Sequence, residues 1–314
     1  MLLVTFHGGK PMKDPRRNNV HAYGKDGKKI VSSVLQDADG VILDELRAIR
    51  LFKRKLYVVN ANKLLNGVLC YRGSGTNYRF ASSFVSSQTC KGVVHPFDLT
   101  FDDAGYCYVS SQDSNVVTRL KISPDGTKAT AAPVAPALAG QGNFLPGTFV
   151  ASSVGNLSTP PTTPVPTPAG LAYSGRGKKK HSVRGVLWVN NALYVADEPA
   201  GVVKVYGPTG KFLGQSNVVE SPVHLLAHGG SLYVTGANEV LTARLPKPVG
   251  DFHLAPIPGL KIKNGSGTAF TVAGHFYIAS RTENFILKFD AKSNFKPMNF
   301  DCALKFNPEF LLHI

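Results

Sequence analysis

The sequence predicts an all-β fold, a six-bladed β-propeller of four-stranded antiparallel blades closed by pairing of the N- and C-terminal strands in one blade, on three observations. An apolar strand, a tight turn and a second strand carrying Tyr followed by Val or Ile recur along the chain. The copies are spaced at the length of a propeller blade, roughly 40 to 50 residues. Each end of the chain carries the half of the unit that the other end lacks.

The first copy runs over 46–51 and Leu56-Tyr57-Val58, and the clearest over 96–101, the turn Asp102-Asp103-Ala104-Gly105 and Tyr106-Cys107-Tyr108-Val109. It recurs at 183–188 with Leu193-Tyr194-Val195, at 222–227 with Leu232-Tyr233-Val234, and at 266–271 with Phe276-Tyr277-Ile278. A further apolar run follows each anchor after a polar loop, as at 116–120, 202–206 and 285–289. A Gly, Asp or Asn turn such as Pro124-Asp125-Gly126 or Pro208-Thr209-Gly210 then leads to a fourth strand. Tyr57 and Tyr108 are 51 residues apart, Tyr194 and Tyr233 39, and Tyr233 and Tyr277 44. Residues 308–314 have the form of a first strand with nothing after it, and 2–6 that of a second strand with nothing before it. Joined, they complete a sixth blade with 19–23 and 30–35, which removes the open edges of an unclosed ring. A weak helical period at 37–47 is the one exception to strand patterning.

Tyr108 and Tyr194 are 86 residues apart, about one blade too many. Residues 130–182 lack the anchor and hold eight prolines, most of them in 159–168, which a hydrogen-bonded sheet does not absorb. The chain therefore reads as one propeller domain, 1–314, with a Pro-rich insertion at 130–182. That insertion joins the last strand of one blade to the first of the next, which puts it on the top face as a lid over the channel mouth.

Of the 314 residues 43% are apolar and 18% charged, the composition of a folded globular chain. No run approaches the roughly 18 apolar residues of a membrane helix, so no membrane is expected as a partner. No basic leader precedes the apolar start, so a cytoplasmic location is expected. Cys70, Cys90, Cys107 and Cys302 have no CxxC spacing, which excludes zinc ribbons and thioredoxin-type motifs and leaves buried free thiols. A formal charge of +15 tilts the expected partners towards anions. The loops 7–18 and 130–182 are both basic.

At Pro96-Phe-Asp-Leu-Thr-Phe-Asp-Asp-Ala-Gly-Tyr-Cys-Tyr-Val-Ser-Ser111 and Leu193-Tyr-Val-Ala-Asp197 the chain resembles the NHL-repeat and SMP-30/gluconolactonase-like group of six-bladed propellers. The likeness rests on blade-core residues. The group includes RNA- and protein-binding modules, lactonases, strictosidine synthase-like enzymes and the peptide amidating lyase, so it implies the fold and leaves the reaction open. In propellers of this kind the first strand of each blade lines the channel from the top face downward. The resemblance therefore puts Glu45, Arg47 and Ala48, His95, Phe97 and Asp98, His181, Arg184 and Gly185, Ser221, Val223 and His224, Asn264, Gly267 and Thr268, and Asn307, Glu309 and Phe310 around the upper mouth. Loops after the second strands add His7, Asn60, Asn62, Gln112, Asp113, Asp197, Glu198, Asn238, Glu239, Arg281 and Glu283.

Within that ring Arg47, Arg184, Asp98, His224, Glu309 and His95 are the candidate ligand-binding residues. Forked guanidinium donors suit a carboxylate or phosphate. Asp98, His224 and Glu309 are the candidate acids or bases. Glu45, Asp98, Asn264 and Glu309 could hold one divalent cation of the lactonase kind. The amidating lyase's zinc histidines would fall at Arg47, Phe97, Arg184, Val223, Gly267 and Glu309, none of which is histidine, and strictosidine synthase-like enzymes use a channel glutamate that Glu309 could match. Two functions follow. One is a binding module for an anionic small molecule or acidic protein segment at a basic top mouth. The other is a metal-dependent hydrolase or lyase in the same channel. Nucleic acid is a weaker fit, because the top loops hold few aromatics for stacking bases.

Overall fold

The computed structural model describes residues 1–7, 18–36, 41–61, 66–141, 143–152, 170–172, 182–245, 247, 249–300, 302 and 304–314. Among them the strands form six sheets. In the closing blade β26 (Pro308–His313) pairs with β1 (Leu2–Phe6), followed outward by β2 (His21–Tyr23) and β3 (Lys29–Val31). The register sets Leu3 opposite Leu312 and Val4 opposite Leu311, and the amino group of Met1 donates to the carbonyl of Ile314 at 2.9 Å. The expected closure by the two ends is present.

The second blade holds β5 (Leu46–Phe52), β6 (Lys55–Asn60), β7 (Gly67–Ser74) and β8 (Asn77–Ser86), with β4 (Leu35–Gln36) added parallel to β8. The third holds β9 (Pro96–Phe101), β10 (Tyr106–Ser111), β11 (Val116–Ile122), β12 (Ala129–Ala131) and β13 (Thr148–Ala151). Then come β14 (Val183–Val189) to β17 (Phe212–Gln215), β18 (His224–His228) to β21 (Ala255–Lys261), and β22 (Gly265–Phe270) to β25 (Lys296–Met298). The first strands touch in sequence, β5 with β9, β14, β18, β22 and β26 in turn, and β26 touches β5 again, so the ring is closed.

Each blade is covered on both faces by its neighbours, which is why its inner strands read as continuous apolar runs rather than alternating ones. The repeated tyrosine marks the seam between blades. Tyr57 packs on Phe101 of the following blade at 4.8 Å, Tyr108 stacks on Trp188 at 5.0 Å, and Tyr233 meets Phe270 at 4.9 Å. Parallel stacks of Phe52 on Phe101 and His228 on Phe270 extend two of these seams. Aromatic pairs in such geometry contribute roughly 0.5 to 1.5 kcal/mol beyond their area.

The segment expected to lie outside the sheet at 130–182 differs in its first part. β12 pairs with the lower half of β11, Leu120 to Ile122, and β13 returns to pair with its upper half, Val116 to Thr118. Two strands of three and four residues thus share one edge, either side of a short helical turn at Pro136–Leu138. Neither is long enough to display alternation, and Pro133, Pro136 and Pro146 fall between them. Phe149, Val150 and Ala151 are buried in the core, as is Leu171, whose backbone bridges Ser152. The Pro-rich run 159–168 and the lid expected from it lie outside the described residues. So do His181 and the basic side chains of 8–17 and 173–180.

Deleting 308–314 should lower the melting temperature by more than about 5 °C, because Phe310 alone is a buried ring of the kind whose loss costs about 3 to 5 kcal/mol. An unchanged thermal transition in that truncation would contradict closure by the two ends. Replacing 153–169 by a short Gly-Ser linker should leave the urea midpoint nearly unchanged, since loop length costs little, while Phe149→Ala should cost about 3 kcal/mol. Unfolding of the linker variant would mean that this stretch supplies core.

Candidate functional site

Side chains reach the channel through an irregularity repeated at the top of five of the six first strands. The pairing of first and second strands slips between Leu46 and Ile49, between the partners of Pro96 and Leu99, between Val183 and Val186, between Gly265 and Thr268, and between the partners of Pro308 and Leu311. An extra residue in one strand of a pair re-aims its side chains. Just before the strands Glu45, His95, Ser221 and Asn264 take left-handed backbone conformations, with φ of 46°, 50°, 48° and 49°. The bulged pairs are Arg47-Ala48, Phe97-Asp98, Arg184-Gly185, Ser266-Gly267 and Glu309-Phe310, with Val223-His224 at the matching place. In register Ser266, rather than Gly267, corresponds to Arg47.

The second members of these pairs alternate large and small round the ring: Phe310, Ala48, Asp98, Gly185, His224, Gly267. The glycines are required by close approach. A Cβ on Gly267 would lie 2.5 Å from Cα of Phe310, and one on Gly185 2.8 Å from the carbonyl oxygen of Val223. Across Gly267, Phe310 meets the His224 ring edge-on at 5.1 Å. Arg50, one turn of the pleat below Arg47, reaches over from its own blade. Its Nη2 donates to both oxygens of Asp98, at 2.9 and 3.2 Å, and lies 3.4 Å from Nε2 of His224, while its guanidinium sits 5.7 Å from the Phe310 ring centre. Asp98 also accepts from the amides of Leu99 and Val186, the latter in the next blade. His224 Nδ1 is 3.0 Å from Thr268 Oγ1 and accepts from the Thr268 amide at 3.3 Å, while Nε2 faces Arg50. Burial holds His224 well below the usual histidine range, aided by Arg50, and raises the Asp98 carboxyl against the opposing pull of Arg50. Arg50, Asp98, His224 and Phe310 therefore form a floor across the channel.

Above that floor lies a second cluster. Arg47, only 3% exposed, donates to Glu309 Oε1 at 2.8 Å, and Arg281 Nε is 3.0 Å from Oε2. Burial would raise Glu309, but Arg281 and Arg47 outweigh it and bring the carboxyl down to about 2. Arg47 Nη2 faces Glu45 at 3.6 Å and His95 at 3.4 Å. His95 is held between Glu45 and Asp113, each at 3.3 Å, and its hydrogen bond brings Glu45 down to about 2. Arg184 donates from Nε to Glu198 at 2.6 Å, and Ser221 donates to the other oxygen of Glu198. Arg47 and Arg184 both lie over the Phe97 ring, at 5.5 and 5.1 Å. His7, whose amide donates to the carbonyl of Asn307, is lowered to about 4 by burial and by Arg47.

The structure thus brings Arg47, Glu309, His95, Arg184, Asp98 and His224 to one channel, in two tiers and largely as charge pairs. It does not assemble the candidate cation ligands. Both oxygens of Asp98 and of Glu309 face guanidiniums, and the amide of exposed Asn264 bonds Thr282. Glu45 is taken by His95. Among the described residues no group of three His, Cys, Asp or Glu is placed to hold a metal ion, so these residues do not fit a cation of the lactonase kind. Arg50 is absent from the sequence-derived set. Its signal was a charge at a position filled elsewhere by Thr100, Leu187, Leu226, Ala269 and Leu312, each paired across the ladder with the second strand.

No protein-family model matches the chain, and no curated protein matches it. Solved structures do. A chain of the nidogen/laminin complex superposes with a TM-score of 0.61 at 11% identity, covering 99% of this chain and 96% of its own. A candidate 6-phosphogluconolactonase from Bacteroides fragilis gives 0.60 at 11% identity, covering 100% and 97%. A Lactobacillus plantarum protein gives 0.58 at 13% identity, covering 98% and 82%. At such identities the likeness establishes the fold alone. The chain is a six-bladed β-propeller.

Acid should destabilise the fold in two stages. His7 and His224 are held neutral, below their unfolded value, so the stability they contribute is complete above pH 6.5 and is lost as pH falls below it, towards 4 for His7. Glu309 and Glu45 are held ionised, so theirs is complete above pH 4.5 and is lost towards pH 2. Asp98 opposes the second stage, because its raised carboxyl favours the folded state on acidification. His7→Asn should reduce the fall in unfolding free energy between pH 6.5 and 4, read from urea titrations, by up to about 3 kcal/mol. An unaltered slope would mean that His7 does not titrate with folding.

Proposed function

We propose that this chain is a ligand-binding propeller of the NHL-repeat and SMP-30-like group that takes a compact anion, a carboxylate or phosphate on a small molecule or an acidic protein segment, at the upper mouth of its channel. One observation carries the reading. Arg184 and Arg281 each direct only Nε at a carboxylate, and their terminal nitrogens have no protein partner among the described residues. Both charges are close enough to act on Arg47. A planar fork whose two outer donors are unpaired suits bidentate recognition of a carboxylate or phosphate. The floor of Arg50, Asp98, His224 and Phe310 limits the depth such a ligand can reach. Four buried free cysteines fit a reducing, cytoplasmic setting.

A second reading, a hydrolase or lyase, is favoured by His95. It sits at the mouth, 29% exposed, between two carboxylates 3.3 Å away, an arrangement that suits proton transfer to a ligand held beside it. A candidate 6-phosphogluconolactonase is among the similar folds. On this reading His95 acts as acid or base without a metal step.

Titration calorimetry with inorganic phosphate and with succinate tests the first reading. Arg184→Met with Arg281→Met should weaken either anion at least tenfold, since charge-assisted hydrogen bonds are worth about 1.5 to 3 kcal/mol each. Arg47→Met should act mainly on stability, at about 3 kcal/mol, because it strips one partner from buried Glu309. Unchanged anion affinity in the double variant would defeat the reading.

A further inference from the structure

We propose a second binding site, away from the channel, for a small aryl phosphate, in the groove between the closing blade and the connection that leads into β26. The groove encloses about 290 Å³ and is lined by Phe6, His21, Tyr23 and Phe306 together with Lys28, Lys29 and Lys305. Its apolar wall is a cluster of rings. Phe6 lies 4.4 Å from His21 and 6.0 Å from Phe306, which meets Phe6 edge-on, and His21 lies 6.4 Å from Tyr23. Burial raises the Tyr23 phenol, so this wall carries no negative charge at neutral pH.

The lysines are the distinguishing feature. Every channel arginine faces a carboxylate, whereas none of Lys28, Lys29 and Lys305 has one within ion-pair distance among the described residues. All three are exposed at the rim. The nearest acid in their turn, Asp26, accepts from the backbone amide of Lys28. Three uncompensated ammonium groups beside an aromatic wall match a ligand that joins a dianion to a ring. Ligand pockets generally run from roughly 300 to 1,000 Å³, so a groove at the lower limit holds one ring and one phosphate. Lysine binds phosphate as a point charge and needs no bidentate geometry.

Titration calorimetry with phenyl phosphate, against inorganic phosphate and phenol as half-ligands, tests the site. Phenyl phosphate should bind at least tenfold more tightly than either half. The triple variant Lys28→Gln, Lys29→Gln, Lys305→Gln should lose at least tenfold, with an unchanged melting temperature because all three side chains are exposed. Phe306→Ala should lose about fivefold for phenyl phosphate and nothing for inorganic phosphate. The Arg184→Met, Arg281→Met variant should keep the phenyl phosphate affinity, which separates this groove from the mouth. Phenyl phosphate binding no tighter than phosphate would overturn the proposal. So would phenyl phosphate binding that keeps its affinity when the lysine triple variant is made on the Arg184→Met, Arg281→Met background, or that disappears with the two arginines alone.

Discussion

The pairing of β26 with β1 is the constraint on which the rest of the molecule depends. It closes the ring, and it also delivers Glu309 and Phe310 to the channel from the last residues of the chain. Thr5 secures the joint, donating to the carbonyl of Arg47 at 2.7 Å and accepting from the amide of Phe310 at 3.0 Å. One hydroxyl on the second strand of the closing blade thus ties its first strand to the neighbouring blade. Without β26, Arg47 would lose its carboxylate and His224 the ring against it. Fold closure and site assembly are a single event, which is how six-fold repetition converts residues distant in sequence into one cluster.

The channel is also where the chain's large positive charge is least expressed. Glu309 faces both Arg47 and Arg281, Asp98 faces Arg50, Glu198 faces Arg184, and Glu45 adds a second carboxylate beside Arg47. Guanidiniums confined in a poorly solvated passage repel one another strongly, and removing them from water without partners costs several kcal/mol each. The net charge of +15 is carried outside, on strand-joining turns such as those holding Lys25, Lys53, Arg54, Lys128, Lys211 and Lys292. Composition reports that excess but not its position. The basic loops from which a basic mouth is expected lie outside the described residues, and anion recognition by the inner residues rests on unpaired donor geometry rather than on bulk charge.

The blade count, the ring closure and the first-strand positions were legible because they repeat. The Tyr-Val anchor recurs for a physical reason, the seam it makes with the next blade, and a repeated constraint leaves a repeated residue. What did not repeat was harder to read. β13 is a single return strand of four residues whose only signal is Thr-Phe-Val-Ala after a proline turn. Arg50 is the one charge in an otherwise uncharged column, and its role depends on a carboxylate 48 positions away. Its partners become visible only when the bulge that offsets the first strands is known. The same bulge explains the one-residue slip that put Gly267 where Ser266 belongs.

The two tiers differ in what they can tolerate. In the floor every group has a fixed partner across the ring, and the alternation of Phe310, Asp98 and His224 with Ala48, Gly185 and Gly267 leaves no room for a larger side chain on the small positions. Interiors packed in this way resist changes of even one methylene. The upper tier is built differently. Arg184, Arg281, His95, Glu45 and Asp113 are all partly exposed, and they stand at strand ends or on loops rather than within the ladder. Altering His95, Glu45 or Asp113 removes a surface contact and leaves the blade intact, whereas Arg281 and Arg47 both serve the buried carboxylate of Glu309, and Arg47, itself buried, belongs energetically to the floor. Ligand choice in this propeller can therefore change at the mouth while the floor beneath it stays constant, as expected where binding residues sit on loops over a rigid scaffold.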